Sequence, residues 1–183
     1  IKDKTNLKAE SLSIKFNDPF YTDLKQVSFD VKEGEIFGIA GVAGNGQSEL
    51  MNLLTGEGID GVSGSLIYNS IDIKNFNPKK RRDMSIAFVP ENRLGHSAVP
   101  ELTLSENILI SQFPNNNFIT NGMINYRNIN AQAKKVIDEF NVVTPGIDAK
   151  ASSLSGGNLQ KFVIGREILT NPKLLIISHP TWG

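Results

Sequence analysis

The sequence predicts an α/β protein that combines strands of the parallel type with a smaller antiparallel β portion. Residues 85–89 (SIAFV) and 173–177 (KLLII) are short apolar runs, which are typical of strands covered on both faces. Residues 9–16 and 24–31 instead alternate apolar and polar side chains, as half-buried antiparallel strands do. Helical patterns separate the later strands, and this alternation favours the α/β class.

The remaining elements follow from periodicity and from turn residues. Apolar spacing and capping residues predict helices after residue 46 and over residues 77–83, 104–110, 126–140 and 156–170. Thr103 or Ser105 is the expected cap of the 104–110 helix. Further strands are predicted over residues 36–40 and 65–73, and loops over residues 17–23, 56–64 and 113–122.

Composition limits the function classes. The chain has 183 residues with 39% hydrophobic content, which suits one domain with a core. Its 19 basic and 19 acidic residues balance, so no global charge attracts nucleic acid or an anionic membrane. The basic run at residues 79–82 is expected to be a solvated helix face. With 0 cysteines, disulfides, thiolate metal sites and cysteine nucleophiles are excluded. No membrane span or signal peptide is recognised, so we expect a soluble protein with at most a peripheral membrane role.

Residues 34–54 have the layout of a phosphate-binding loop: an apolar strand, a glycine-rich turn and an amphipathic helix. Gly41, Gly44 and Gly46 occupy the glycine positions of that pattern, and Ser48 occupies the position of the Mg²⁺-binding hydroxyl. Gln47 stands where the pattern has lysine. Backbone N–H groups and the helix N-terminus still attract anions there. The alternative is a tight turn that only needs glycine, but the flanking strand and helix patterns favour a nucleotide site.

A second anion-binding pattern lies at Ser155, Gly156 and Gly157, where a capping hydroxyl and two glycines precede a helix. With its neighbours, the segment LSGGNLQKFVIGREI strongly resembles the signature motif of ABC transporter ATPases. The segment NPKLLIISHPTWG resembles their Walker B strand, which usually ends in an Asp-Glu pair. The resemblance covers essentially the whole chain.

This resemblance implies a P-loop NTPase fold with a RecA-like core, an antiparallel β subdomain and a helical signature subdomain at about residues 94–156. The loop GVAGNGQSEL and the segment SIAFVPENR look most like the second half of tandem ATPases that energise importers of sugars and nucleosides, nearest the nucleoside branch. Residues 1–183 would then be one nucleotide-binding domain. It starts without methionine and stops before the family's D-loop and switch histidine, so it looks like a fragment of a longer polypeptide.

The family's functional positions map onto individual residues. The nucleotide-binding positions match Gly41, Gly44, Asn45, Gly46, Gln47, Ser48 and Glu49, with Tyr21 or Phe20 as the aromatic that stacks on adenine. The metal positions match Ser48 and Glu91, the latter in the Q-loop. Ser155, Gly156 and Gly157 match the contacts to the γ-phosphate of an ATP held by a partner domain. Ser178 and His179 occupy the Walker B aspartate and catalytic glutamate positions.

Glu91 stands where the family's Q-loop has glutamine, and three acid-or-base positions are altered as well: Gln47 replaces lysine, Ser178 replaces aspartate and His179 replaces glutamate. Losing a charged hydrogen bond to phosphate costs about 1.5 to 3 kcal/mol, so ATP binding is expected to persist only weakly. Mg²⁺ is expected to bind weakly or not at all, and no catalytic residue is assigned, although His179 can in principle act as a base. The intact signature instead favours a domain that completes the ATPase site of its partner.

The resemblance implies as partners a first nucleotide-binding domain in the same polypeptide, transmembrane permease subunits and, indirectly, a solute-binding protein. It implies a place on the cytoplasmic face of the cell membrane and no nucleic-acid partner. One alternative is a nucleotide-independent pseudo-ATPase module that only dimerises and docks. Another is a soluble ABC protein of translation or repair, which a neutral chain without coiled-coil insertions disfavours. The transported solute is not encoded in such a domain.

Overall fold

The computed structural model describes residues 4–58, 60–112 and 117–180, which divide into two compact units. The first unit is Ile1–Ile86 and the second is Ala87–Gly183. Part of the predicted loop at residues 113–122 and the end of the Walker B-like segment fall outside the described residues. The first unit contains strands β1 (Thr5–Ile14), β2 (Leu24–Lys32), β3 (Ser63–Tyr68) and β4 (Ile71–Asp72) and helices α1 (Gln47–Thr55) and α2 (Pro78–Asp83).

The first unit is built on an antiparallel sheet with the strand order β2-β1-β3-β4. The predicted alternation is confirmed in part: Leu12 and Ile14 are buried in β1, but the strand ends before the half-buried Phe16 and starts earlier than predicted, where Leu7 and Ala9 are also buried. The register with β2 shifts between Ala9 and Leu12, where Ser11 has a φ of 49°. This irregularity keeps apolar residues on the core face on both sides of it.

Two strand predictions in the first unit are wrong. Residues 36–40 form no strand, and Ile36 is 99% exposed. An apolar run supplies β propensity, but a strand also needs a pairing partner, and none of the described residues pairs with this segment. Residues 65–73 are not one strand because Asn69 and Ser70 have φ angles of 47° and 67°. Left-handed residues at both central positions are typical of a type I′ hairpin turn, here between β3 and β4.

The prediction that residues 79–82 form a solvated helix face is wrong for Arg81, which is 0% exposed. Its guanidinium donates hydrogen bonds of 2.8 to 3.0 Å to the carbonyl oxygens of Leu53, Leu54, Ile73, Lys74 and Phe76. Burial lowers the pKa of Arg81 to about 10, against the opposing charge of Asp72. Arg81 is therefore still protonated at neutral pH, and it ties the last turn of α1 to the segment before α2.

The second unit is mainly helical. Its elements are β5 (Ile86–Val89, which crosses the boundary), α3 (Leu104–Ser111), the hairpin β6 (Ile119–Thr120) and β7 (Met123–Ile124), α4 (Tyr126–Glu139), a 3-10 helix (Ala151–Ser153), α5 (Gly156–Ile168) and β8 (Leu174–Ile177). The predicted helices are confirmed, with ends displaced by a few residues. β5 is fully buried as predicted, whereas β8 is only partly buried. The two strands form a two-stranded sheet.

The core of the second unit lies among α3, α4 and α5. It contains Val89, Ala98, Leu104, Ile108, Phe118, Ile129, Ala133, Val136, Val142, Ala151, Leu159, Phe162 and Val163. At Gly165, a Cβ would lie 2.5 Å from the Phe140 ring, so glycine allows α5 to approach the end of α4. This close packing positions α5, whose first turn carries the signature residues. None of the helices in the described ranges is long and apolar enough to span a bilayer.

The N-terminus of α3 offers a test of which hydroxyl caps it. Thr103 is the cap: its side chain accepts from the Glu106 N–H at 3.1 Å, and the Glu106 carboxylate accepts from the Thr103 N–H at 2.8 Å. We expect Thr103→Ala to lower the free energy of unfolding by about 1 kcal/mol. Ser105→Ala is the matched control, because the Ser105 hydroxyl is buried without a hydrogen-bond partner among the described residues. Urea denaturation that shows equal losses for both variants would contradict the assignment of Thr103.

Candidate phosphate loop and signature site

The glycine-rich loop of the first unit leads directly into α1. Gly44 and the N-cap residue Gly46 have φ angles of 83° and 98°, which glycine adopts without steric cost. No side chain caps the helix, so its first N–H groups are left for another acceptor. Ser48, the second residue of α1, is exposed. The backbone thus has the form of an anion-binding loop, with a hydroxyl available beside it.

Gln47 turns its side chain back onto this loop. Its Nε2 donates to the carbonyl oxygen of Val42 at 2.9 Å, and its Oε1 accepts from the backbone N–H of Asn45 at 3.1 Å. The Asn45 side chain also donates to the Val42 carbonyl oxygen, at 2.9 Å. The residue at the lysine position is therefore bound within the loop itself.

The segment between β1 and β2 is attached to the phosphate loop through Thr22. The Thr22 hydroxyl donates to the carbonyl oxygen of Gly44 at 3.0 Å, and its backbone N–H donates to the Glu49 carboxylate at 2.9 Å. Glu49 is 8% exposed, so this carboxylate is held inside the unit. Here Glu49 connects the two segments, while a direct nucleotide contact by it stays a prediction. Sequence reasoning missed Thr22, which has no motif signal.

The two candidate aromatics differ in their surroundings. Tyr21 is 49% exposed and stacks on Phe16, with ring centroids 5.1 Å apart and an interplanar angle of 23°. Phe20 is 92% exposed. Both residues directly precede Thr22, which is hydrogen-bonded to the phosphate loop. Of the two rings, that of Phe20 therefore has the larger exposed surface to which an adenine could bind.

In the second unit, Ser155 is the N-cap of α5. Its Oγ accepts from the side-chain amide of Asn158 at 3.0 Å and from the Asn158 N–H at 3.5 Å. Asn158 in turn accepts from the Val143 N–H at 2.9 Å, which fixes the helix start against the segment after α4. Ser155 and Gly156 are exposed, and Gly157 is half-buried. The predicted signature residues therefore lie together at an accessible helix N-terminus.

The chain segments after β5 and β8 contact each other and the signature helix. Arg93 donates from Nη1 to the carbonyl oxygen of Gly156 at 3.4 Å, which brings a cation to the start of α5. His179 Nε2 lies 3.6 Å from Glu91 Oε1. Gln160 donates to the carbonyl oxygens of His179 and Pro180 at 3.0 and 2.6 Å. Arg93 and Gln160 belong to the segments that carry the family resemblance, SIAFVPENR and LSGGNLQKFVIGREI, but the sequence predicted no individual role for either of them.

The candidate residues thus fall into two groups. The first unit holds Gly41, Gly44, Asn45, Gly46, Gln47, Ser48, Glu49, Phe20 and Tyr21, and the second holds Glu91, Ser155, Gly156, Gly157, Ser178 and His179. Ser178 extends β8 by donating its N–H to the carbonyl oxygen of Val89 at 2.9 Å. Among the described residues, no group of three or more His, Asp or Glu side chains could hold a metal ion.

The phosphate loop, the antiparallel sheet and the helix that starts at Ser-Gly-Gly define the class of ATP-binding cassettes, which have the P-loop NTPase fold. Residues 24–182 match the ABC transporter family, and the chain belongs to that family. A nucleotide-free ATP-binding cassette from an ABC transporter superposes with a TM-score of 0.70 at 26% identity, over 98% of this chain and 70% of that one. A dimeric cassette in a post-hydrolysis state with ADP and Pi has a TM-score of 0.75 at 24% identity, covering 96% and 75% of the respective chains, and supports the fold alone.

The relatives with known roles include import ATPases. The nucleoside import ATP-binding protein NupA of Lactococcus lactis is 44% identical over 161 residues, which are 87% of this chain and 31% of the relative. The guanosine import ATP-binding protein NupO of Bacillus subtilis is 40% identical over the same shares. The glucose import ATP-binding protein TsgD13 of Haloferax volcanii is 37% identical, over 87% of this chain and 29% of the relative. The chain thus spans about a third of the length of these relatives.

Proposed function

We propose that this chain is an ATP-binding domain of an importer for nucleosides or sugars, and the second of two such domains in its polypeptide. Support comes from relatives named for nucleoside, guanosine and glucose import, of whose lengths the chain spans 29 to 31%. The nucleoside branch is favoured because NupA and NupO have the higher identities, 44% and 40%. The solute itself would be selected elsewhere in such a transporter.

The signature site carries the proposed role. Ser155, Gly156 and Gly157 form an exposed helix start, and the Arg93 guanidinium lies at the Gly156 carbonyl. A helix N-terminus with an adjacent cation favours a phosphate group. In the proposed transporter, this surface completes the ATPase site of the partner domain by contacting the γ-phosphate of the ATP that the partner holds.

The chain's own loop would serve as a weak nucleotide site. The backbone of Gly41, Gly44 and Gly46 would hold phosphate oxygens, and the exposed Ser48 hydroxyl would ligate Mg²⁺. Bound Mg²⁺ supplies positive charge to the transferring phosphoryl group. Ser178 and His179 supply no carboxylate after β8, at the two positions where the family has aspartate and glutamate. We therefore propose that this domain does not hydrolyse ATP.

The proposed partners are the first ATP-binding domain, the permease subunits and, through these, a solute-binding protein. The pairing of two such domains is proposed because the exposed helix start at Ser155 resembles the signature motif, which contacts the ATP of a partner domain. The proposed location is the cytoplasmic face of the cell membrane, where ATP is available. No contact to nucleic acid is proposed.

The purified 183-residue chain tests this division of roles. We expect it to bind Mg–ATP with a dissociation constant near the millimolar range and to release no phosphate above background, because the loop lacks its lysine and the strand end lacks both carboxylates. Equilibrium titration with labelled ATP and a phosphate-release assay measure the two properties. Steady, saturable hydrolysis by the chain alone would overturn the proposal.

A second candidate function is a nucleotide-independent module that only dimerises and docks to membrane subunits. The observation that favours it is the Gln47 side chain, which binds within the loop where a phosphate would sit. The same titration discriminates the two functions. Absence of binding at several millimolar Mg–ATP would support the docking module and exclude a nucleotide-binding role for this loop.

A further inference from the structure

Gln47 differs from lysine in more than charge. A carboxamide has both a donor and an acceptor, whereas an ammonium group only donates. In this loop both functions are used, because Nε2 donates to the Val42 carbonyl oxygen at 2.9 Å and Oε1 accepts from the Asn45 N–H at 3.1 Å. A lysine could form the first of these bonds but not the second. The bridge across the loop is therefore a property of glutamine at this position.

The Gln47 bridge uses a backbone N–H group of the loop and lies against its first glycine, where a phosphate would bind. A Cβ added to Gly41 would lie 2.5 Å from Gln47 Nε2, so the carboxamide rests directly on the first glycine of the loop. The Asn45 N–H is one of the loop donors, and it already donates to Gln47 Oε1. A phosphate oxygen that takes this donor must first displace the Gln47 side chain. Binding and the bridge are then mutually exclusive.

We propose that Gln47 closes this loop from within, so that a nucleotide phosphate, brought with Mg²⁺, can bind only by displacing the carboxamide. This inference rests on the proposed function, because that function makes a nucleotide the ligand of the loop. It goes beyond it by assigning the weak affinity to competition from Gln47 as well as to the missing lysine charge.

The two causes of weak affinity have opposite consequences for Gln47→Ala. If glutamine only fails to supply a charge, alanine binds nucleotide no better than glutamine does. If glutamine closes the loop, alanine removes the competitor and exposes the Asn45 N–H. Because the loop is exposed, we place each of the two neutral hydrogen bonds at the low end of the usual net value, about 0.5 kcal/mol, which corresponds to a gain of about three- to tenfold in affinity. Gln47→Lys should gain more, since it removes the acceptor and adds the charge.

Hydrogen exchange of individual backbone amides in the purified full-length protein reports on this loop separately from any other nucleotide site. Without nucleotide, we expect the Asn45 amide to exchange several-fold faster in Gln47→Ala than in the wild type. With increasing Mg–ATP, protection of residues 41–48 should reach its midpoint at a three- to tenfold lower concentration in Gln47→Ala. Asn52→Ala is the control, because it removes a carboxamide from the same helix outside the loop and should change neither readout.

Each outcome decides a separate point. Unchanged Asn45 exchange in Gln47→Ala would overturn the bridge, and a higher midpoint would show that Gln47 contacts the phosphate and would overturn the closing role. If Asn45 exchanges faster in Gln47→Ala but Mg–ATP protects the loop in no variant, the loop is not a nucleotide site. That outcome would overturn the proposed function of the loop and the ligand assigned to it. Faster exchange together with a lower midpoint supports the inference.

Discussion

Ser155→Arg is expected to abolish ATP turnover by the transporter in which we propose that this domain acts. The Ser155 side chain caps an exposed helix start, and the two glycines after it leave room for a ligand to approach the backbone. An arginine side chain would fill that space and would exclude the γ-phosphate of the ATP that the proposed partner domain holds. Loss of a single preorganised donor to a reacting group costs about 10² to 10³ in rate, and obstruction of the whole site should cost at least as much.

Two further variants separate loss of the site from loss of the helix cap. Ser155→Asp retains a good N-cap for α5, so the domain should stay as stable as the wild type, while its negative charge repels phosphate and turnover should still be lost. Ser152→Arg adds the same cation to an exposed position three residues earlier and should leave turnover within about twofold of the wild type. Phosphate release from purified transporter measures all three variants. Wild-type turnover in Ser155→Arg would mean that this helix start completes no ATPase site.

Local features of the structure could be predicted because their signals lie within a few residues. The helix starts at Asn77 and Ser155 are confirmed, since a capping side chain needs only the next turn of its own helix. The alternation in β1 likewise marked its buried face. The hairpin between β3 and β4 also has a local signal in Asn69, because asparagine tolerates the left-handed conformation that this turn requires.

Features that depend on distant parts of the chain could not be predicted in this way. Residues 36–40 have the composition of a strand, yet pairing requires a partner that composition does not specify. The basic run at 79–82 has no pattern that distinguishes Arg81 from its neighbours, because its acceptors Leu53 and Leu54 lie 28 and 27 positions away. For Gln47, the sequence shows that the lysine charge is missing, but it does not predict that the side chain turns back onto the loop.

Arg81→Ala is expected to lower the free energy of unfolding by about 3 to 5 kcal/mol. The guanidinium is fully buried and satisfies five carbonyl oxygens, two of them in the last turn of α1. Alanine would leave a cavity, and each of these carbonyl oxygens would lose a charge-assisted hydrogen bond, although the Ile73 oxygen would still accept from the Phe76 N–H at 2.9 Å. It would also remove a cation from the C-terminal end of α1, where the helix dipole favours one.

The effect should extend to the phosphate loop, because α1 carries Gln47 and Ser48 at its start and is held by Arg81 at its end. Gly56, the C-cap of α1, shows how closely this junction is packed: a Cβ there would lie 2.4 Å from the Phe76 carbonyl oxygen and 2.8 Å from Arg81 Nε. Urea denaturation of the purified chain measures the loss, and Lys79→Ala is the matched control. Lys79 is exposed and, within the described part of the chain, forms only a surface pair with Asp83, so its removal should cost less than about 0.5 kcal/mol. A loss below about 1 kcal/mol for Arg81→Ala would show that this junction does not depend on the buried guanidinium, and that α1 is held in place by its apolar contacts alone.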